Sequence, residues 1–217
     1  MRSSNLLTII IIIIILTSCQ NDDLVYSCDP EINSYVTDNK QKFAQIDVLQ
    51  ITSYEYPLQK AIFNSWDSGK KREEWINKLN YVISNENLTI KEVDHLQKLI
   101  FHIQPDYFSD DFLNKNSEQI SQFAATWLDF SIRELGWSDQ FIAFIVYRLY
   151  INQSQFEAEL SELRSIMTNT SANSESNCSC NTSEDFCGDY FRCSSTGCSS
   201  SGGCGWLWSQ TCNGTCY

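Results

Sequence analysis

The sequence predicts a mainly α protein: an irregular bundle of six to eight helices, followed by a small disulfide-rich C-terminal module of short strands and turns. Three observations predict it. Apolar residues recur with helical period over residues 29–167, and after Pro30 only Pro57 and Pro105 interrupt them. Eight of the ten cysteines lie in residues 177–217. Between the two regions, residues 168–176 are small, polar and without apolar periodicity, which reads as a flexible linker open to proteolysis.

The start of the chain reads as a secretion signal. Arg2 supplies a positive start, and residues 6–16 form an apolar run containing seven consecutive isoleucines. A membrane-crossing helix needs about 20 apolar residues, so this run is too short to span and fits the apolar core of a signal peptide. It ends in Leu16-Thr17-Ser18-Cys19, which resembles the lipobox of bacterial lipoproteins. That resemblance implies cleavage before Cys19 and acylation of its sulfur and new N-terminus. Residues 1–18 are then the signal and residues 19–28 a lipidated acidic tether. Cys19-Gln20-Asn21-Asp22-Asp23 resembles the short acidic export tag of Gram-negative surface lipoproteins. It implies an outer-membrane lipoprotein displayed at the cell surface, with a periplasm-facing anchor as the alternative. Several acyl chains hold a protein stably where one binds only marginally.

The helices follow in order. Pro30 suits a first helical turn and opens a stripe of Ile32, Tyr35, Val36, Phe43 and Ile46. Pro57 opens a second helix carrying Leu58, Ala61, Ile62 and Trp66, which Asp67-Ser68-Gly69 breaks. Trp75, Ile76, Leu79, Val82 and Ile83 form the third stripe. Thr89-Ile90-Lys91-Glu92 is a capping box, in which hydroxyl and carboxylate each satisfy an orphan amide; Val93, Leu96, Leu99, Ile100 and Ile103 follow. Ser117 is placed as the cap of a helix with Ile120, Phe123, Trp127, Leu128 and Leu135, ended by Gly136. Ser138 caps the next, over residues 141–151, which is apolar nearly all round and should be the most buried. Phe156, Leu160, Leu163 and Met167 mark the last.

The C-terminal region is a different kind of object. Leu207 is its one aliphatic side chain apart from a few aromatics, too little to fold 41 residues by hydrophobic burial. It therefore needs staples. It contains no histidine, and its cysteines run C-x-C-x6-C-x5-C-x4-C-x5-C-x7-C-x3-C without the paired knuckles of a zinc site. An exported chain meets oxidising conditions, so Cys178, Cys180, Cys187, Cys193, Cys198, Cys204, Cys212 and Cys216 are read as disulfide cysteines, with no metal. Eight cysteines allow 105 pairings, so connectivity is open. Cys178 and Cys180 flank one residue and should each pair downstream. If Trp206-Leu207-Trp208 is extended, both indoles share one face. That face is either the module's small core or, with Tyr217, a contact patch.

Charge narrows the partners. The chain carries a net charge of −12, and loss of Arg2 with the signal leaves −13. Such a surface repels nucleic acid and anionic lipid, so no nucleic-acid partner is expected. His95 and His102 stand about 10.5 Å apart along a helix, too far to share a metal ion, and read as surface or interfacial residues. No His-Glu-x-x-His, nucleophile elbow or phosphate loop occurs. No catalytic residue, cofactor or enzymatic activity is expected. Cys28 is an odd thiol that is free, cross-links a dimer, or bridges to the tail.

The tail resembles fulvocin C, a cysteine-rich bacteriocin, and the lipoproteins described as bacteriocin fulvocin C-related. The matching features are Asn177-Cys178-Ser179-Cys180, Asp185-Phe186-Cys187, Phe191 two before Cys193, Gly203-Cys204-Gly205 followed by Trp208, and Cys212-Asn213-Gly214 near a terminal tyrosine. They cover under a fifth of the chain. The resemblance implies a bacteriocin-like module with antibacterial activity. Glu184, Asp185 and Asp189 against Arg192 leave the tail at −2, which favours a receptor on a target cell over attraction to anionic lipid. The expected function is a surface lipoprotein that displays or releases this peptide. The alternative is a non-toxic surface adhesion lipoprotein whose tail recognises a ligand.

Overall fold

The computed structural model describes residues 26–27, 29–169, 180–187 and 192–216, without the side chains of 162–169 and 196–201. Its order is α1 (Pro30–Asp38), α2 (Lys40–Phe43), α3 (Val48–Ile51), α4 (Tyr56–Ser65), α5 (Ser68–Asn85), α6 (Ile90–His102), α7 (Asp110–Arg133), α8 (Asp139–Val146), α9 (Gln153–Asn169), β1 (Cys193–Cys204), a 3-10 turn (Trp206–Trp208) and β2 (Gln210–Cys216). The class is as expected: helical first, then small, stranded and disulfide-linked. None of the described helices is long and apolar enough to cross a membrane.

Local side-chain chemistry sets most helix starts. Asp29 accepts from the amides of Glu31 and Ile32, with Pro30 in the first turn. Asp67 caps α5 through Lys70 N at 2.8 Å, so Asp67-Ser68-Gly69 both breaks one helix and starts the next. The Thr89/Glu92 capping box is present at α6, and Ser138 caps α8 through Phe141 N. Gly136 has φ +67° just after α7, a left-handed position that glycine takes at least cost.

Four departures from the expectation have local or tertiary causes. The first stripe is split at Asn39, whose side chain donates to Tyr35 O and whose backbone leaves the helical region. The short α3 carries its own capping box, Asp47 with Gln50, which the sequence reading passed over. The helix placed at Ser117 begins at Ser109 instead, whose hydroxyl accepts from Phe112 N. Asp110 and Asp111 favour that end electrostatically, and Asn116 (φ −114°, ψ 15°) kinks the helix, which throws its two parts out of phase. Finally, residues 147–151 are buried but not helical. Lys78 Nζ donates to the carbonyls of Phe144, Ile145 and Arg148, while Trp208 Nε1 takes Tyr147 O. Those carbonyls are satisfied by distant side chains, so the segment can leave the helix and stay buried.

One core runs from Val36 of α1 through Phe43, Phe63, Trp75, Leu99, Trp127 and Phe144 to Phe156 and Leu160 of α9. Trp206, Leu207 and Trp208 belong to that same core. The strands pair antiparallel, Cys193 opposite Cys216, Ser200 opposite Cys212 and Cys204 opposite Gln210, with two register shifts between these pairs. Cys180 bridges to Gly214 on the other side of β2. A Cβ at Gly214 would lie 2.7 Å from both Cys193 Sγ and Ser194 O, so only glycine lets the three segments close up.

Candidate functional site

The feature that sets this chain apart is the seat of its cysteine-rich end in the helical region. Cys180 pairs with Cys193, Cys187 with Cys216 and Cys204 with Cys212, and no cysteine is free among the described residues. Cys180 thus pairs downstream, as expected. Cys19, Cys28, Cys178 and Tyr217 lie outside the described residues, as does the side chain of Cys198. The sulfurs of Cys180, Cys187 and Cys193 stand within 4.8 Å of one another, because two bridges are neighbours.

Hydrogen bonds clip the rest together. Asp185 Oδ2 accepts from the amides of Asn181 (3.0 Å) and Gly205 (2.9 Å). Asn181 Nδ2 donates to Thr211 O at 2.7 Å, and its Oδ1 accepts from Ser183 N. Thr182 N donates to Asn213 Oδ1. Side chains of Asn and Asp can bond neighbouring backbone in this way and hold a loop where regular ladders are absent.

Trp206 and Trp208 do not form a contact patch: they are 0% and 1% exposed. Nor are they extended. Gly205, Leu207 and Trp208 all have positive φ (65°, 51°, 56°), which curls the backbone and drives both indoles inward. A left-handed L-residue costs about 1–2 kcal/mol, and burying an indole recovers more than that. Trp208 meets Phe63, Tyr56 and Trp75 edge-on and donates Nε1 to Tyr147 O at 2.9 Å. Trp206 meets Trp127 at 5.5 Å and Phe123 at 6.4 Å. Phe186 packs on Phe156. Asn64 of α4 donates to Gly202 O, and a Cβ on Gly203 would meet its amide at 3.0 Å. The core this region lacks by composition is supplied by the helices.

A charged cluster lies beneath. Arg148, 3% exposed, pairs with Glu159 at 3.0 Å, donates to Tyr147 O and covers the Tyr56 ring at 3.9 Å. Lys60 of α4 sits 3.0 Å from Cys204 Sγ and 4.7 Å from the Tyr56 ring. Burial pulls Lys60 down to about 8; Arg148 adds to this, and Asp185 and Glu159 oppose it. Lys78 is fully buried and lowered well below the ordinary lysine value, by burial first and by Arg148 second. Its three carbonyl partners keep the donor satisfied.

The histidines part company. His95 is core, not surface: it stacks on Trp127 and Phe130, with Nε2 2.8 Å from Ser131 Oγ. Burial lowers it to about 4. The unfolded chain then takes up a proton below about 6.5 that the folded chain refuses until about 4. Stability should fall by on the order of 2–3 kcal/mol as pH drops through that window, and be fully present above it. Urea unfolding across the window checks this; His95→Gln should flatten the slope. His102 stacks on Phe123 and, with Phe101, Phe112, Lys98 and Asp94, lines an open groove of about 640 Å³ between α6 and α7.

No signal in the sequence marks Lys60 or Lys78, each a single polar residue in a helical pattern that predicts exposure. Arg148 lies in the stretch 141–151 expected to be the most buried, and Asp185 is marked only by the resemblance of the tail. No protein-family model matches the chain, and no curated protein or solved structure matches it.

Proposed function

We propose that this protein is an anchored extracytoplasmic carrier of a bacteriocin-like segment. Acylated Cys19 holds it on the outer face of a Gram-negative outer membrane, and the helical region seats residues 177–217 for display or release to a target-cell receptor. The observation that carries the reading is the double constraint on the C-terminal segment. Disulfides staple it, three of them among the described residues, and Trp206-Leu207-Trp208 is inserted into the helical core. A carrier needs both: covalent links that preserve the segment outside the cell, and a seat that withholds its aromatic face until release.

The test is a site-specific protease sequence placed within residues 170–176. Intact chain should not inhibit growth of related bacteria. The cut chain should hold its C-terminal fragment under native conditions, and the fragment separated in denaturant and refolded with its bridges intact should inhibit. A separated fragment that binds cells without inhibiting them would favour the adhesion reading. A fragment that does neither would overturn both.

A further inference from the structure

The outer face of α6 has the pattern of half an interface. His95, Leu96 and Leu99 turn into the core, while Ile90, Asp94, Gln97, Lys98 and Phe101 are exposed. Ile90 and Phe101 are 84% and 81% exposed, more than any other large apolar side chain among the described residues. Single exposed apolar residues are ordinary, but these two share a seam. Residues 90, 94, 97 and 101 are spaced four, three and four, as on a helix that packs lengthwise against another. Asp94 and Lys98 stand one turn apart, yet among the described residues they form no ion pair with each other. Lys98 lies over the Phe130 ring at 5.7 Å, a contact that leaves its N–H groups open to a carboxylate.

We propose that this face binds a second copy of the chain, with the two α6 helices antiparallel about a two-fold axis. The seam is its own complement. The midpoint of Ile90 and Phe101 and that of Asp94 and Lys98 fall within half a residue of each other, about 0.8 Å along the axis. A two-fold through that point sets each Ile90 against the Phe101 of the second copy. It sets each Asp94 against the other copy's Lys98, with Gln97 beside it to donate to the same carboxylate. Such a contact is isologous: whatever one copy offers, the other receives. Next to Phe101 lies the open groove of about 640 Å³, lined by Phe112 and Phe123 with His102 stacked on Phe123. Its mouth takes the Ile90 of the second copy. A net charge of −12 opposes random association between copies, so contact is confined to a patch where opposite charges meet. One helix seam with a groove at each end is a small interface, which places the affinity in the micromolar range. Neither the cysteine-rich end nor the anchor takes part, so the dimer is independent of the carrier reading.

The test follows the full chain, bridges intact, by sedimentation equilibrium from about 1 μM to about 1 mM. A monomer–dimer equilibrium is expected, and a chain that stays monomeric throughout overturns the proposal. Asp94→Lys sets ammonium against ammonium at both ends of the seam and should raise the dimer Kd about a hundredfold. Adding Lys98→Asp to it reverses both charges, restores the complement and should bring Kd back to within about threefold of wild type. Phe101→Ala, which removes the apolar contact at both ends, should weaken the dimer about tenfold. All three positions are exposed, so helical circular dichroism should show each variant folded. The charge reversal separates this contact from other routes to a dimer. A dimer indifferent to Asp94→Lys, whether cross-linked or formed on another face, overturns the proposal. So does a double variant that stays as weak as Asp94→Lys alone.

Discussion

Trp208→Ala is expected to destabilise the helical region by about 3–5 kcal/mol, although the substitution lies in the cysteine-rich end. The indole is 1% exposed among Tyr56, Phe63 and Trp75, and its Nε1 holds a carbonyl just past the end of α8. Removing it leaves a cavity and takes away one of the two donors to the Tyr147 carbonyl, which keeps the bond from Arg148 Nη1. The measurement is urea unfolding followed by helical circular dichroism, with all disulfides kept intact. Trp208→Phe should cost less, because it restores much of the volume and loses only the hydrogen bond. A helical transition unmoved by Trp208→Ala would mean that the cysteine-rich end folds apart from the bundle.

Arg148→Met should cost about 3–5 kcal/mol, because it strands the Glu159 carboxylate, 10% exposed, without its cation. The double substitution Arg148→Met with Glu159→Leu should recover most of the loss, since removing both buried charges leaves nothing uncompensated. Thermal melts of the two single variants and the double variant read the coupling. For contrast, Asp111→Ala breaks a pair whose side chains are 77% and 70% exposed, and should move the melt little. Equal costs at the two pairs would show that the Arg148 cluster is solvated in solution.

The contrast bears on the proposed carrier. Arg148 Nη2 reaches Phe186 O at 3.4 Å, and Trp208 bonds the carbonyl of Tyr147, so one short stretch of the bundle holds the cysteine-rich end at two points. Agents that release the segment must therefore loosen the region that follows α8. That couples release to the stability of the bundle instead of leaving it to a linker alone.

What could be read from the chain before folding was what short-range chemistry controls. The Thr89/Glu92 box, the Ser138 cap and the Gly136 stop each involve residues within one helical turn, so spacing reveals them. The stapling of the cysteine-rich end followed from its want of aliphatic residues, and three bridges bear it out. Asn39 and Asn116 interrupt otherwise good helical patterns through backbone angles that amphipathic periodicity does not report.

The seat was not legible, for a physical reason. Trp206-Leu207-Trp208 alternates like a strand, and an isolated segment of that kind has no reason to take positive φ at two non-glycine residues. It does so because the indoles find a core 61 or more residues away in sequence, at Tyr147, Trp127, Trp75 and Phe63. The same holds for Lys60, Lys78 and Arg148, whose partners at Cys204, at the end of α8 and at Phe186 come together only when the chain is packed. Composition and spacing dictated helices, caps and the need for disulfides; long-range burial alone decided that the cysteine-rich end is locked into the bundle, because the free energy of hiding two tryptophans is available only where the helices already leave room for them.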